Sequence, residues 1–331
     1  MVGPKTGVLD FLVQLANDTP LTNLALQASQ AALLLPFSRI NVAAKSSYDA
    51  NGFVEQILSG LRADKPLFLA AHFESAHFPY ITRHATIHYT SNNEFYSKHV
   101  ESLTTVDLQI RNLTQALQHQ GYLNDAIIVI LADHGESFGE PEFAYTKKGK
   151  SITLETYGHG TSVLSELQNH VPLSLIIYTD GKKAHPETVE TIISLREVRQ
   201  IIKAAVNGEF YEPRKGNCFI VETGIRFKST ENYKEIKQAT VASEAFDYYR
   251  ITSNGLLILR EGQLQKLVKM KDVGLRCDKH ITYYDSSDKE FFSYDIIERG
   301  LTEKPAPRED IEEISNYRNR LLYRTTIEPA L

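Results

Sequence analysis

Residues 126–137 read Ala-Ile-Ile-Val-Ile-Leu-Ala-Asp-His-Gly-Glu-Ser. A continuous apolar run, β-branched at Ile127, Ile128, Val129 and Ile130, ends abruptly in a carboxylate, an imidazole and a glycine. Such a run fits a central parallel strand covered on both faces. Asp133 and His134 then fall at its C-terminal end, the edge at which open α/β sheets bind ligands. The pair offers hard oxygen and borderline nitrogen to a divalent cation, and Gly135 lets the backbone turn away close by. Two ligands fall short of the about four that zinc takes, or the roughly six or more of calcium. The plainer reading of an isolated pair is an aspartate capping the next helix beside a solvated histidine.

The flanks supply the rest of a layered α/β pattern. Over residues 92–120, Phe95, Val100, Leu103, Val106, Ile110, Leu113 and Leu117 recur at helical spacing, and Gly121 stands where a helix ends. Residues 67–72, after Lys65-Pro66, predict a short buried strand, and residues 171–178 a further one. Strands separated by helices imply βαβ units. Beyond about residue 206 the texture changes to short runs such as 218–221 and 255–259, with tyrosines at 248, 249, 283 and 284 between charged turns. A catalytic-type domain over 1–206 and a smaller subdomain over 207–331, with antiparallel strands and a polar closing helix at 308–323, are expected.

The 331 residues are 42% hydrophobic and 23% charged with a net charge of −5. That excludes a disordered chain, and the acidic balance argues against a nucleic-acid partner. Cys218 and Cys277 are too few for a disulfide scaffold and lack metal-ligand spacing. Two buried thiols are the expected state, with pairing in an exported chain the alternative. No stretch reads as a membrane span: residues 24–37 are interrupted by Gln27, Ser29, Gln30 and Pro36 and suit an amphipathic helix. The first residues lack the charged and apolar regions of a signal peptide, so a soluble, unaddressed chain is expected.

Taken together, Asp133-His134-Gly135-Glu136-Ser137, then Thr156-Tyr157-Gly158-His159-Gly160, then the strand opening Val171-Pro172-Leu173 resemble the later half of a sulfatase-like catalytic domain. That superfamily includes sulfatases, alkaline phosphatases and the bacterial phosphoethanolamine and phosphoglycerol transferases. Residues 65–80, with His72 and the sequence His77-Phe78-Pro79, resemble its strand ending in a histidine–proline turn, and the segment with Tyr96 and Asp107 its long intervening helix. The resemblance is tight over residues 65–178. It implies an α/β fold, part of an alkaline-phosphatase-like α/β/α sandwich, with a smaller C-terminal α+β subdomain. It implies that Asp133 and His134 bind one divalent metal ion (calcium, manganese or zinc). It also implies catalytic roles for His77 and His159 on the sulfate or phosphate group, with His72 as a further substrate contact. The chemistry is coherent, because a metal with imidazole donors stabilises charge on a transferring oxyanion and a histidine can protonate the leaving oxygen.

The same resemblance implies a nucleophile, within Cys/Ser-x-Pro-x-Arg in sulfatases, and an acidic metal ligand, both N-terminal to these motifs. The sequence holds neither; Leu35-Pro36-Phe37-Ser38-Arg39 has leucine in the nucleophile's place, and residues 2–11 read like the middle of such a domain. The expected activity is therefore metal-dependent hydrolysis or transfer of sulfate or phosphate esters, small-molecule, lipid or glycan, incomplete in this chain alone. The alternative is a non-catalytic homologue that binds an anion or a protein. A missing N-terminal portion or a second copy is the expected partner, and a periplasmic or membrane-associated setting follows from the resemblance only. Other features read as ordinary: His84 and His88 as surface residues four apart, His170 as structural, Lys147, Lys148 and Lys150 as a solvated loop, and Glu136 as either orienting His134 or facing solvent.

Overall fold

The structure, a computed structural model, describes residues 50–61, 66–77, 80–213, 218–225, 244, 246–252, 257–298 and 300–327. Segments 2–11, 24–37 and 35–39, and Phe78 and Pro79, lie outside them. In chain order the elements are α1 (Ala50–Ser59), α2 (Glu94–His119), β1 (Ala126–Leu131), β2 (Ser137–Lys147), β3 (Lys150–Gly158), α3 (Glu166–Asn169), β4 (Leu173–Thr179), β5 (Lys182–Lys183), α4 (Val198–Val206), β6 (Cys218–Glu222), β7 (Tyr249–Ile251), β8 (Leu257–Leu259), α5 (Leu264–Lys269), β9 (Val273–Cys277), β10 (His280–Asp285), β11 (Glu290–Ile297), β12 (Gly300–Lys304) and α6 (Arg308–Ile327). The α/β class expected from the sequence is the class observed. No helix among the described residues is long and apolar enough to cross a membrane.

The described residues fall into two compact units. The first holds those up to Ala126 together with Ile177–Ala184. Here α2 starts where Asn93 accepts hydrogen bonds from the Phe95 and Tyr96 amides at 3.1 and 3.2 Å, and it stops at Gly121, whose φ is +79°. The helix expected over 92–120 is present, but its buried stripe is Ser97, Ser102, Thr105, Gln109, Leu113 and Leu117, while Phe95 and Leu103 are exposed. A mostly polar stripe needs internal partners, and buried Ser75 donates to Gln109 Oε1 at 2.9 Å. Residues 67–72 do not form the expected strand: they pair with no strand among the described residues, and Phe68 is 92% exposed. The end of β4 turns through Asp180 (φ +51°) and Gly181 (φ +70°) into antiparallel β5.

The second unit lies within Ile127–Ile176, His185–Thr252 and Leu256–Leu331. β1 lies beside β4, yet β1 is half-buried along its length and exposed at Leu131, not covered on both faces as its composition predicts. The larger sheet has seven strands in the order β3-β2-β12-β11-β10-β9-β6. Its pairings are antiparallel except for the parallel contact of β12 with β2. The sheet curls: Leu154 of β3 shares a core with Ile281 and Tyr283 of β10, Phe292 and Tyr294 of β11, and Val163 and Leu164. Curling also carries the β2–β3 tip to the β10–β11 turn. Lys147 Nζ sits 2.6 Å from Asp285 and 2.8 Å from Asp288, and Lys148 Nζ sits 2.9 Å from Glu290. These lysines join two hairpins; the solvated-loop reading does not hold for them.

Helix α6 closes a second cluster, with fully buried Ile314 against Val273, Leu275 and Cys277. Its first turn is tied by Asp310, which accepts from Thr282 Oγ1 at 2.5 Å. Cys218 of edge strand β6 lies opposite Cys277 of β9, and the two form a disulfide. The expectation of free thiols is corrected: directly opposed positions on antiparallel strands bring the two sulfurs together. Reduction, or Cys218→Ser with Cys277→Ser, should lower stability by about 2–4 kcal/mol. Urea unfolding with and without reductant measures that difference, and an unchanged midpoint would count against the bridge.

Candidate metal and anion site

β1 delivers Asp133 and His134 just past its last residue, and Gly135 and Glu136 lead directly into β2. In the β2–β3 ladder Ser137 stands opposite Gly158, so the residues just beyond that last pair, Glu136 and His159, meet. His159 Nδ1 lies 2.8 Å from Glu136 Oε2, and its ring stacks on His134 with centroids 3.8 Å apart and planes 21° apart. Donor atoms of His134, Glu136 and His159 all lie within 4.8 Å of one another. One hairpin register thus assembles residues more than twenty positions apart in sequence.

Proton placement follows from the partners. His134 Nδ1 is 2.9 Å from the Gly135 carbonyl oxygen, which can only accept, so in the neutral ring the proton sits on Nδ1 and the Nε2 lone pair is available. Asp133 Oδ1 accepts from the His134 amide at 3.1 Å, and Asp133 Oδ2 stands 3.8 Å from His134 Nε2. A carboxylate oxygen and an imidazole nitrogen this close are donors that suit a divalent cation in kind. Glu136 is a carboxylate acceptor, so His159 Nδ1 carries the proton in their hydrogen bond. That bond, with a further contribution from the Asp133 charge, holds the His159 imidazole above its ordinary value of 6.5 against an opposing effect of partial burial. The arrangement therefore stacks His159, whose hydrogen bond to Glu136 favours its charged form, on His134.

Backbone fit calls for glycine at three positions. A side chain at Gly135 would place Cβ 2.0 Å from the Leu167 carbonyl oxygen. His159 is displayed between Gly158 (φ +71°) and Gly160 (φ +64°), a conformation glycine adopts without strain. The Gly160 carbonyl accepts from the Gly224 amide at 2.7 Å, just beyond β6.

Of the residues singled out from sequence, Asp133, His134 and His159 come together in the second unit. Glu136, whose role the sequence left open, faces His159. His72 and His77 belong to the first unit: His72 is exposed with Nδ1 3.8 Å from Glu74, and exposed His77 lies in a turn whose carbonyl accepts from Tyr80 N at 2.8 Å. His84 and His88 do not share a helix, and His88 is exposed beside Glu101 at 3.4 Å. His170, read as structural, is exposed. Sequence reasoning missed Gln168, in a four-residue helix, and Gly224, in a short segment after an edge strand; neither position carries a chemical signal in one dimension.

The family model described as Sulfatase matches residues 21–204. Among solved structures, the phosphonate monoester hydrolase SpPMH from Silicibacter pomeroyi aligns at 14% identity with a TM-score of 0.36. The alignment covers 70% of this chain, which spans 41% of that enzyme.

Two outcomes follow from this geometry. Because the folded His159 pKa is raised, the stability from its pairing is complete below pH 6.5 and is lost as pH rises through the higher folded value. In the metal-free protein, an NMR titration should place the His159 midpoint above that of Glu136→Gln, and equal midpoints would refute the pairing. Gly135→Ala should cost about 1–3 kcal/mol by forced displacement of the Leu167 backbone, read from denaturant midpoints.

Proposed function

The chain belongs to the sulfatase family, and from that membership we propose that it carries the metal- and anion-binding part of a sulfate- or phosphate-ester hydrolase or transferase. The observation that carries this reading is Asp133 Oδ2 lying 3.8 Å from His134 Nε2, with His159 stacked on His134 and hydrogen-bonded to Glu136. Asp133 and His134 are the proposed metal ligands, and their imidazole nitrogen favours zinc or manganese over calcium. The ion, when bound, supplies Lewis-acid stabilisation of charge on the ester oxygens. His159 offers a positive hydrogen-bond donor to an oxyanion and a proton for a leaving oxygen. Glu136 accepts from Nδ1 and so fixes the ring, and Nε2 is the nitrogen assigned that role. For His72 and His77, an anion-contact role rests on the sequence likeness. The Cys218–Cys277 bridge supports an oxidising compartment as the place of action.

A second reading, a non-catalytic homologue that binds an anion or a partner, is favoured by one observation: none of the 331 residues forms the Cys/Ser-x-Pro-x-Arg nucleophile motif. Calorimetry and two chromogenic esters separate the readings. Zn2+ or Mn2+ should bind weakly to the chain, and Asp133→Ala or His134→Ala should weaken binding by about tenfold or more. Neither 4-nitrophenyl sulfate nor 4-nitrophenyl phosphate should be hydrolysed by these 331 residues alone. Metal-dependent turnover that disappears in Asp133→Ala would show a complete catalyst; unchanged metal affinity in both variants would remove the proposed ligands.

A further inference from the structure

We infer that Gln168 is the positioning residue that sets the separation between the His134–Glu136 loop and the His159 loop. Gln168 is 2% exposed and every polar group it has is spoken for. Its backbone carbonyl accepts from the Gly135 amide at 2.9 Å, between His134 and Glu136. Its side-chain Nε2 donates to Ser137 Oγ at 3.1 Å, next to Glu136, and to Thr161 Oγ1 at 2.7 Å. Its Oε1 accepts from the Thr161 and Ser162 amides at 2.9 and 3.2 Å, just after His159-Gly160. Its own amide donates to Ser165 Oγ at 3.3 Å, the cap of its helix.

Only a primary amide serves these contacts. The loop after His159 presents two N–H donors, which need an acceptor, while Ser137 Oγ and Thr161 Oγ1 receive two donors from the same side chain. Ser137 Oγ also accepts from Thr156 at 2.8 Å, so the node extends into buried polar structure behind the site. A carboxylate would keep the acceptor and lose both donors, and an apolar side chain would strand all of the partners. The influence of Gln168 passes through Gly135, Ser137 and Thr161. The 3.8 Å stacking of His134 on His159 and the hydrogen bond from His159 to Glu136 are its consequences. The inference deepens the metal reading above but does not require it, since the ring geometry exists without an ion.

The test uses the full chain, deuterated and labelled at histidine, with two readouts: the nuclear Overhauser cross-peak between the His134 and His159 ring protons, and calorimetric Zn2+ affinity. Wild type should show the cross-peak. Gln168→Leu and the near-isosteric Gln168→Glu should lose it and weaken Zn2+ binding by about tenfold or more, the size typical of groups that orient metal ligands. Thr282→Val, which removes a buried hydroxyl bonded to Asp310 and Ser293 and to neither loop, should lower the melting temperature while keeping the cross-peak and the affinity. A folded Gln168 variant that keeps both readouts overturns the inference, as does a wild type without the cross-peak; if Gln168→Leu does not fold, Gln168→Glu decides. A wild type that shows the cross-peak and binds no Zn2+ removes the metal reading, and the cross-peak in the variants still decides the role of Gln168.

Discussion

A buried amide has to satisfy its donors and acceptors inside the protein, and Gln168 does so by binding two separate loops at once. Leaving one such group unpaired costs about 1–3 kcal/mol, so the loops are held to a narrow range of separations. The Gly135 amide, the Ser137 hydroxyl and the Thr161 backbone converge on the same residue, and the candidate site stands directly on them. Glycine at 135 is part of the same constraint, because the chain of Leu167 and Gln168 passes where a Cβ would be. Around the node, Thr156, Ser165 and Glu142 extend the hydrogen bonding, with Ser165 Oγ donating to Glu142 at 2.6 Å. The site therefore rests on a polar core, and polar cores specify geometry more sharply than apolar ones because each bond has a direction.

The apolar core performs a different task. Tyr283, Tyr294 and Phe292 fill the concave side of the curled sheet with Leu154 and Leu164, and burial pushes both tyrosine phenols up, so they remain neutral. Curling brings β2 and β3, which carry the site, into one core with β10 and β11 from the far end of the chain. The Lys147 ion pairs clamp the turn end of that hairpin, while the Gly158 end stays at the site. At the other edge, β6 is held by its disulfide at the start and by Thr223 at the end, whose amide donates to the Asp272 carbonyl at 3.0 Å. The next residue, Gly224, then reaches the loop that displays His159. Packing, charge and a covalent bridge thus all bear on the placement of one imidazole.

Much of this was legible from residue order. The run 126–131 marks a strand by its β-branched composition, the 92–120 periodicity with Gly121 marks a helix and its end, and the alternation of charged turns with short runs after 206 marks antiparallel structure. The failures have a common cause. Residues 67–72 have a strand-like composition, but a strand exists only through a neighbour, and none of the described residues pairs with them. The helix over 94–119 buries a mostly polar stripe in which Ser75 supplies an internal partner for Gln109, which helical periodicity of apolar residues does not register. Cys218 and Cys277 looked like separate thiols since nothing local says that β6 and β9 are neighbours in register.

For the site, the sequence alone determined which chemistry is available: a carboxylate and an imidazole at a strand end, a second imidazole between glycines, and the order of motifs that marks the family. Those features are local, set by residue type and spacing, and so they survive reading in one dimension. Only the tertiary structure decided that His159 pairs with Glu136, that it stacks on His134, and that Gln168 bonds to both loops at once. Each of these depends on strand register and on hydrogen-bond directions between residues far apart in the chain. Such directions come into existence only when the backbone has folded, because an amide or carboxylate is equally at home in water until burial forces it to choose its partners.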